Sequence, residues 1–514
     1  MTTTTRREPG EMDLVETVDA VMRLDAGARA LCFEEHWYTW GELTAYGDGV
    51  LGLVAGSDVP PDRAVGVLLR NEPLCVAVLL AALRARRPVL TFSGLLPDAA
   101  LAADIRGTRP AALVVPPADA DRAGLADALA AVGGVGIRAV DDPSVLPGTR
   151  HDTDADHFIP SAGTVAVMLT SGTTGPPKRV ALTYEGLAHA VHSANRHHEG
   201  ARADAAPRLR DATSIIDLPL FNITSYLDIA MTVAAGRRIC LMRRFEPWAW
   251  ARAVRGHRVV VSLLVPAALR MVLDARIPEE WLTSLKVVRS GSAPLDPKVA
   301  EEFEERYGIP LIVSYGATEF SGALAGLTMA DRRRWGSAKR GSVGRPHPGV
   351  ELRILDPDDG HELEAGQVGV LLARAPQIAG TEPGGWARTN DLARLDADGF
   401  LFIEGRVDDV IIRGGFKVDP SAVADVLRLH PDVADAAVVP LSDPRLGQVP
   451  VAAVVLRPSR QERPGEELEG ALQDWVRERL VPYAVPVRIR AVQALPRTPT
   501  MKIAQRQLLD LLRS

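Results

Sequence analysis

The chain has 514 residues, 46% of them hydrophobic and 24% charged, the make-up of an ordinary folded protein, and it is too long for a single hydrophobic core. Two or more domains follow, and a largely disordered chain is excluded. A formal net charge of −6 without any block of basic residues leaves no electrostatic footprint for nucleic acid or an anionic membrane, so small-molecule chemistry is the function class that remains.

In chain order, residues 1–11 are polar and Thr-rich with no apolar core, which reads as a frayed tail and not a signal peptide. From residue 31 to 115, β-like runs at 64–69, 89–92 and 111–115 alternate with helical patterns at 39–53 and 73–83, the signature of parallel βαβ units. The stretch 73–83 is the longest apolar one, but it stops at Arg84, well short of the roughly 20 residues a membrane span needs, and so predicts a buried helix. Residues 141–163, rich in Asp, Pro, Gly and Ser, predict a loop leading into a strand at 165–169. A second unit begins near Asp408, with β-like runs at 400–404, 409–413, 436–440 and 451–456 and helices at 420–430 and 466–480. The predicted fold class is therefore α/β, with a large N-terminal domain over residues 1–407 of mixed, partly parallel sheets flanked by helices, and a small α+β domain over 408–514.

Cys32, Cys75 and Cys240 are far apart and match neither a zinc spacing nor a disulfide framework, so each reads as a small buried hydrophobe in a reducing cytoplasm. His189, His192, His197 and His198 cluster, but the polar, Ala/Arg-rich surroundings offer no further ligands and point to a solvated helix end, not a metal site. Of the 59 basic residues only six are lysines, and three of these, Lys178, Lys417 and Lys502, fall inside the motifs that follow. A compact ammonium does what a planar guanidinium cannot, so retained lysines are candidates for chemistry.

The strongest local signal is Thr170-Ser171-Gly172-Thr173-Thr174-Gly175-Pro176-Pro177-Lys178. Glycines let a backbone approach an anion, successive N–H groups form a nest for it, and hydroxyls and an ammonium add donors and charge. The spacing is not that of a Walker A loop, and taken alone the segment also reads as a plain turn. Downstream come Ser290-Gly291-Ser292-Ala293-Pro294-Leu295, Ser314-Tyr315-Gly316-Ala317-Thr318-Glu319, Gly344-Arg345-Pro346, Thr389-Asn390-Asp391, Gly405-Arg406-Val407-Asp408-Asp409 and Pro496-Arg497-Thr498-Pro499-Thr500-Met501-Lys502. Glu319, a carboxylate beside a hydroxyl residue, suits Mg²⁺ held against phosphate oxygens. In this order, from about residue 25 to 512, these segments resemble the adenylate-forming superfamily of acyl-CoA synthetases, nonribosomal peptide adenylation domains and luciferases, most of all its stand-alone small-acid ligases.

The resemblance implies a site for ATP and Mg²⁺. Thr170 to Lys178 would cradle the phosphates, Thr318 and Glu319 would face the nucleotide with Glu319 on the metal, and Tyr315 beside Gly316 would stack on adenine. Gly291, Ser292 and Ala293 would line the adenine, and Asp391 with Arg406 the ribose. Asp408 would be the hinge of a mobile C-terminal domain, and Lys502 would bridge the acid and the α-phosphate, where in-line attack concentrates negative charge. Gly414, Gly415 and Lys417 would border a pantetheine tunnel, a tight hairpin turn being the other reading. The sequence departs from the family at Asn390 and Met501, where glycine is usual; asparagine tolerates left-handed dihedrals, so Asn390 is expected to keep that geometry.

By the same resemblance the acid pocket is formed by Ser290, Phe221, Asn222, Tyr226 and Phe320, with core packing the alternative for Tyr226. Asn222 stands where amino-acid-activating relatives carry Asp, and a substrate ammonium without a counter-charge would be costly, so the aromatic lining predicts a small aryl acid. The expected reaction is adenylation of that acid with pyrophosphate release, followed by transfer to CoA. Alternative acceptors are a carrier protein acting in trans, since no carrier domain follows Ser514, or an amine, giving an amide; nitrite activation to diazotise an aryl amine is a further variant. A nucleotide-binding regulator without catalysis is the reading from another class, opposed by Lys178, Glu319, Asp391 and Lys502. Neither nucleic acid nor membrane is an expected partner.

Overall fold

A computed structural model describes residues 13–139, 143–169, 179–199, 206–357, 359–378, 384–406, 411–413, 416–443, 446–457, 465–498 and 503–513. The expectations for residues 1–11, the loop 170–178, Asp408, Gly414, Gly415, Met501 and Lys502 lie outside them. The described residues form two compact units, one drawn from Met1–Thr170, Lys178–Glu351 and Arg374–Gly380, the other from Leu352–Ala373 and Thr381–Ser514.

The first unit holds three sheets. In a seven-stranded sheet the strands Val135–Arg138, Ala112–Val115, Val65–Leu69, Val89–Ser93 and Thr164–Leu169 run parallel in that order, with Ser144–Val145 and Arg179–Thr183 antiparallel at its edges. Every residue of Val65–Leu69 and Val89–Ser93 is buried, as a parallel sheet covered on both faces requires. The helix predicted at 39–53 runs Trp40–Gly56, opened by a capping box in which Thr39 and Glu42 exchange hydrogen bonds. The apolar stretch forms the helix Pro73–Arg84, buried along Cys75 to Leu83, and no described helix is long and apolar enough to cross a membrane.

The second sheet carries Thr213–Ile216, Arg238–Leu241 and Arg29–Phe33 in parallel, closed by antiparallel His36–Thr39. The third carries Val261–Leu263, Val287–Ser290 and Leu311–Ala317 in parallel, then antiparallel Gly322–Gly326 and Arg345–Pro346.

Glu351–Leu355, Gly369–Arg374, Ala387–Leu395 and Leu401–Arg406, all but Glu351 and Arg374 in the second unit, form a four-stranded sheet in chain order. A further sheet joins Phe416–Val418, Ile411–Arg413, Gly447–Leu456 and Val433–Asp443, with Arg488–Ala491 parallel to Gly447–Leu456. Side chains alternate across it: Ala436 and Val438 share a core with Leu427, Leu472 and Val476 of the helices Pro420–Arg428 and Gly465–Arg477, while Ala437 and Val439 meet Leu508 and Leu512 of Gln505–Arg513. The molecule is thus the α/β protein expected, with mixed, partly parallel sheets and helices in the large N-terminal part and an α+β C-terminal part.

Candidate nucleotide and acid site

Three segments of the first unit that are distant in sequence meet at the C-terminal ends of parallel strands, where open α/β sheets place their ligands. The strand Val287–Ser290 buries Ser290 and then turns through Gly291, Ser292 and Ala293. A Cβ on Gly291 would come 3.0 Å from Ser314 Oγ, so the glycine lets this turn lie against the neighbouring strand. Ser292 has φ 65°, a left-handed conformation uncommon for a side-chain-bearing residue, and its hydroxyl lies 3.2 Å from Thr224 Oγ1.

The strand Leu311–Ala317 carries Tyr315 and Gly316 and returns as Gly322–Gly326 after one short helical turn, Thr318–Phe320. At Gly316 a Cβ would meet Gly322 O at 2.1 Å and Ala323 Cα at 2.6 Å, so no side chain fits without parting the hairpin. Phe320 is buried as the root of the turn, with the Tyr315 ring 6.3 Å away at 47°. Thr318 is half-buried and Glu319 exposed. The Glu319 carboxylate makes no hydrogen bond or ion pair among the described residues, and this oxygen donor fits a hard cation such as Mg²⁺.

The chain from Leu218 to Asn222, where the acid pocket is expected, is anchored by a residue that no motif flags. The Asn71 amide donates to Leu218 O (3.0 Å) and Met242 O (2.9 Å), and its oxygen accepts from Leu220 N (3.0 Å). Asn222 Oδ1 accepts from Thr224 N at 2.9 Å and so caps the helix Ile223–Ala234. Phe221 is half-buried and packs on the core. Tyr226 is buried in that core with its hydroxyl unpaired, and burial, then the nearby Tyr184, push the hydroxyl's pKa up.

Two carboxyls beside this segment, Asp217 just before it and Asp228 in the helix Ile223–Ala234, are unusual. Burial pushes Asp217 up to about 7, with a further rise from Asp228, against hydrogen bonds from its own amide and that of Leu218. Burial likewise pushes Asp228 up to about 6, opposed by the charge of Arg289. Of the sequence-clustered histidines, His192 Nδ1 meets Ala188 O at 3.0 Å, and His197 Nε2 meets Gly326 O at 2.8 Å while its ring packs on His347, centroids 4.2 Å apart. Burial, then His197 and Arg289, push His347 down to about 3. His197 therefore serves to pack a hairpin, and the expectation of a solvated helix end is corrected there, because the helix Tyr184–Glu199 lays this side chain against Gly326. Among the described residues the group spaced for a metal is instead the surface trio Asp356, Asp359 and His361.

In the second unit, adjacent antiparallel strands put Asp391 directly opposite Arg406, with Asp391 Oδ1 3.5 Å from Arg406 Nε. The Asp391 amide donates to Thr389 Oγ1 at 3.0 Å. Asn390 lies within the strand Ala387–Leu395 and has no positive φ, so the left-handed geometry expected there is absent: the irregularity in the pairing with Gly369–Arg374, where the register shifts between Val370 and Leu372, is accommodated without it. Lys417 belongs to the strand Phe416–Val418. Asn71 and Thr224 were missed by sequence reasoning, since single polar residues before or within apolar helices carry no local signal.

Residues 18–381 match the family model "AMP-binding enzyme", and residues 422–502 match "AMP-binding enzyme C-terminal domain". The chain is 32% identical over 371 residues to 4-coumarate–CoA ligase-like 5 of Oryza sativa subsp. japonica, a match covering 71% of this chain and 65% of the rice protein, so it spans just under two thirds of that relative. It is 29% identical over 519 residues to indoleacetate–CoA ligase of Aromatoleum aromaticum, covering 96% of each. Among solved structures, the amide bond synthetase McbA from Marinactinospora thermotolerans superposes with a TM-score of 0.76 at 27% identity, over 97% of this chain and 99% of that one.

Proposed function

Because this chain belongs to the AMP-binding enzyme family of adenylate-forming ligases, we propose that it joins a small aryl carboxylic acid to AMP and passes the acyl group to CoA. The carboxylate attacks the α-phosphate of ATP, pyrophosphate leaves, and the thiol then displaces AMP from the acyl-adenylate. The observation that carries this reading is the meeting of the Ser290–Ala293 turn, the Tyr315–Phe320 hairpin and the helix start at Asn222 to Thr224 at the strand ends. In this reading the loop 170–178 holds the phosphates, Tyr315 and the backbone of Gly291 to Ala293 receive adenine, and Asp391 with Arg406 receives ribose. Lys502 meets the charge that builds on the α-phosphate during in-line attack. Mg²⁺, held by Glu319, would neutralise phosphate charge. Phe221 and Phe320 would flank the acid, and the absence of a carboxylate at Asn222 disfavours α-amino acids. Gly414, Gly415 and Lys417 would border the path of the pantetheine arm. All three cysteines are free thiols, which suits action in the cytoplasm.

An amine acceptor is the second reading, favoured by the likeness to an amide bond synthetase along nearly the whole chain. The deciding experiment measures acid-dependent pyrophosphate release over aryl acids, aliphatic acids, amino acids and nitrite, each with CoA, a carrier protein or an aryl amine. Release with an aryl acid and a CoA thioester seen by mass supports the ligase. Product formed with an amine alone moves the assignment to amide synthesis, and release driven by nitrite moves it to diazotisation. Lys502→Ala is expected to lower pyrophosphate release at least a hundredfold, by about 10²–10³ as for loss of a charge-stabilising donor; undiminished release would remove Lys502 from the reaction. ATP binding without release for any acid would favour a regulator.

A further inference from the structure

Cys32 and Cys240 are far apart in sequence and adjacent in the fold. They face each other in register across the parallel strands Arg29–Phe33 and Arg238–Leu241. The same row of the sheet continues to Ile215 on one side and Trp37 on the other. The helix Pro247–His257 packs over this row through Trp250 and Val254, and its last residue, His257, sets its ring edge-on to Trp37 at 5.5 Å. The guanidinium groups of Arg29 and Arg238 lie 5.5 and 5.4 Å from the Trp37 ring centre, and Arg238 is paired with Asp211. Neighbouring strands are about 4.8 Å apart. That spacing falls within the Cα separations of about 4.4–6.8 Å that a disulfide spans.

We propose that Cys32 and Cys240 form a reversible oxidation site, in which Cys32 is the attacking thiol and Cys240 the resolving one, with a hydroperoxide as the oxidant. Interaction with the Cys240 thiol, and then the His257 ring, hold Cys32 below the usual thiol range in spite of its burial, while the same pairing and burial push Cys240 up. A thiolate is the reactive form of cysteine, and a neighbouring imidazole such as that of His257 favours it. The third cysteine is the internal contrast: Cys75 is enclosed in the apolar helix Pro73–Arg84, and burial pushes it up to about 12. Trp37 and His257, which border Cys32, are half-buried, so a small peroxide has a short route inward.

The chemistry balances with one named co-reactant. The Cys32 thiolate attacks one peroxide oxygen, an S–O bond forms, the O–O bond breaks, and the alkoxide leaves, taking a proton from solvent. The Cys240 sulfur then attacks the Cys32 sulfur of this sulfenic acid; an S–S bond forms, and hydroxide departs with the Cys240 proton as water. The two thiols lose two electrons and the hydroperoxide gains them. A dithiol reverses the step.

The test uses the wild-type protein, treated with hydrogen peroxide, digested without reduction and mapped by mass spectrometry. The expected result is a Cys32–Cys240 linked peptide pair that dithiothreitol separates, with Cys75 still a thiol. Before oxidation, iodoacetamide should alkylate Cys32 at least about tenfold faster than Cys75 at neutral pH, as the difference in thiolate fraction requires. In Cys240→Ser, peroxide should leave Cys32 as a sulfenic acid that dimedone traps. Alkylation of Cys32 no faster than Cys75 overturns the proposal, and so does a fast Cys32 that never links to Cys240 in the wild-type protein.

Discussion

Asn71 shows how much can hang on one amide. It closes three hydrogen bonds to backbone groups of two other chain segments, at Leu218, Leu220 and Met242, and it is itself buried. Asn71→Ala strands these groups, each costing about 1–3 kcal/mol when left unpaired in the interior. We expect a loss of several kcal/mol in denaturant unfolding, and, under the proposal that Phe221 flanks the acid, a raised KM for the acid in the surviving enzyme, because the segment from Leu218 to Asn222 loses its anchor. Asp217 makes a pH prediction of defined sign. Its pKa is raised from an ordinary 3.8 to about 7, so the folded state keeps a proton that the unfolded chain gives up. Its stabilising contribution is full below about pH 4 and is lost as pH rises through about 7. Asp217→Asn removes the buried charge, so its melting temperature relative to wild type should be higher at pH 8 than at pH 5; a difference independent of pH would show that the carboxyl titrates normally. The opposite holds for His347, held down at about 3, whose neutral form favours the fold above about 6.5 and whose contribution fades as pH falls toward 3.

At the scale of the element, the helix Ile223–Ala234 starts where it does because Asn222 caps it. Asn222→Ala should cost about 1 kcal/mol of stability, the usual price of a lost cap, whereas Asn222→Asp keeps an acceptor at the same place and should be near neutral. Chemical denaturation of the two variants separates capping from any role in the pocket. If Asp is as destabilising as Ala, the cap is not what the position provides. Strand and helix runs were the most legible part of the sequence. The parallel strands Val65–Leu69 and Val89–Ser93 are continuous β-branched and apolar runs, and the helix Pro73–Arg84 has Pro at its start. Ends moved by a few residues, as at the helix predicted over 466–480, found at Gly465–Arg477, because the last turn of a helix depends on what packs against it.

For the whole molecule, the two units predict that the two half-reactions can be uncoupled. Under the proposal that Asp408 is the hinge, Asp408→Pro fixes the backbone angle there that a domain movement would have to change. Pyrophosphate release should then persist while transfer to the acceptor falls at least about tenfold, the outcome expected when a conformational step and not chemistry is blocked. Equal loss of both half-reactions would place the hinge elsewhere. Membership of the adenylate-forming family was legible because its motifs are short, ordered and local: in each, the glycines, hydroxyls and charges are adjacent in sequence. By itself the sequence determined the fold class, the family and the order of the candidate site segments, since periodicity and loop chemistry are properties of neighbouring residues. Only the tertiary structure decided that Cys32 pairs with Cys240 across adjacent strands, that Asn71 anchors the segment from Leu218 to Leu220, that His197 packs against His347 and that burial raises the pKa of Asp217. These depend on which distant segments share a surface and on how much water is left there, and no local pattern of residues records either.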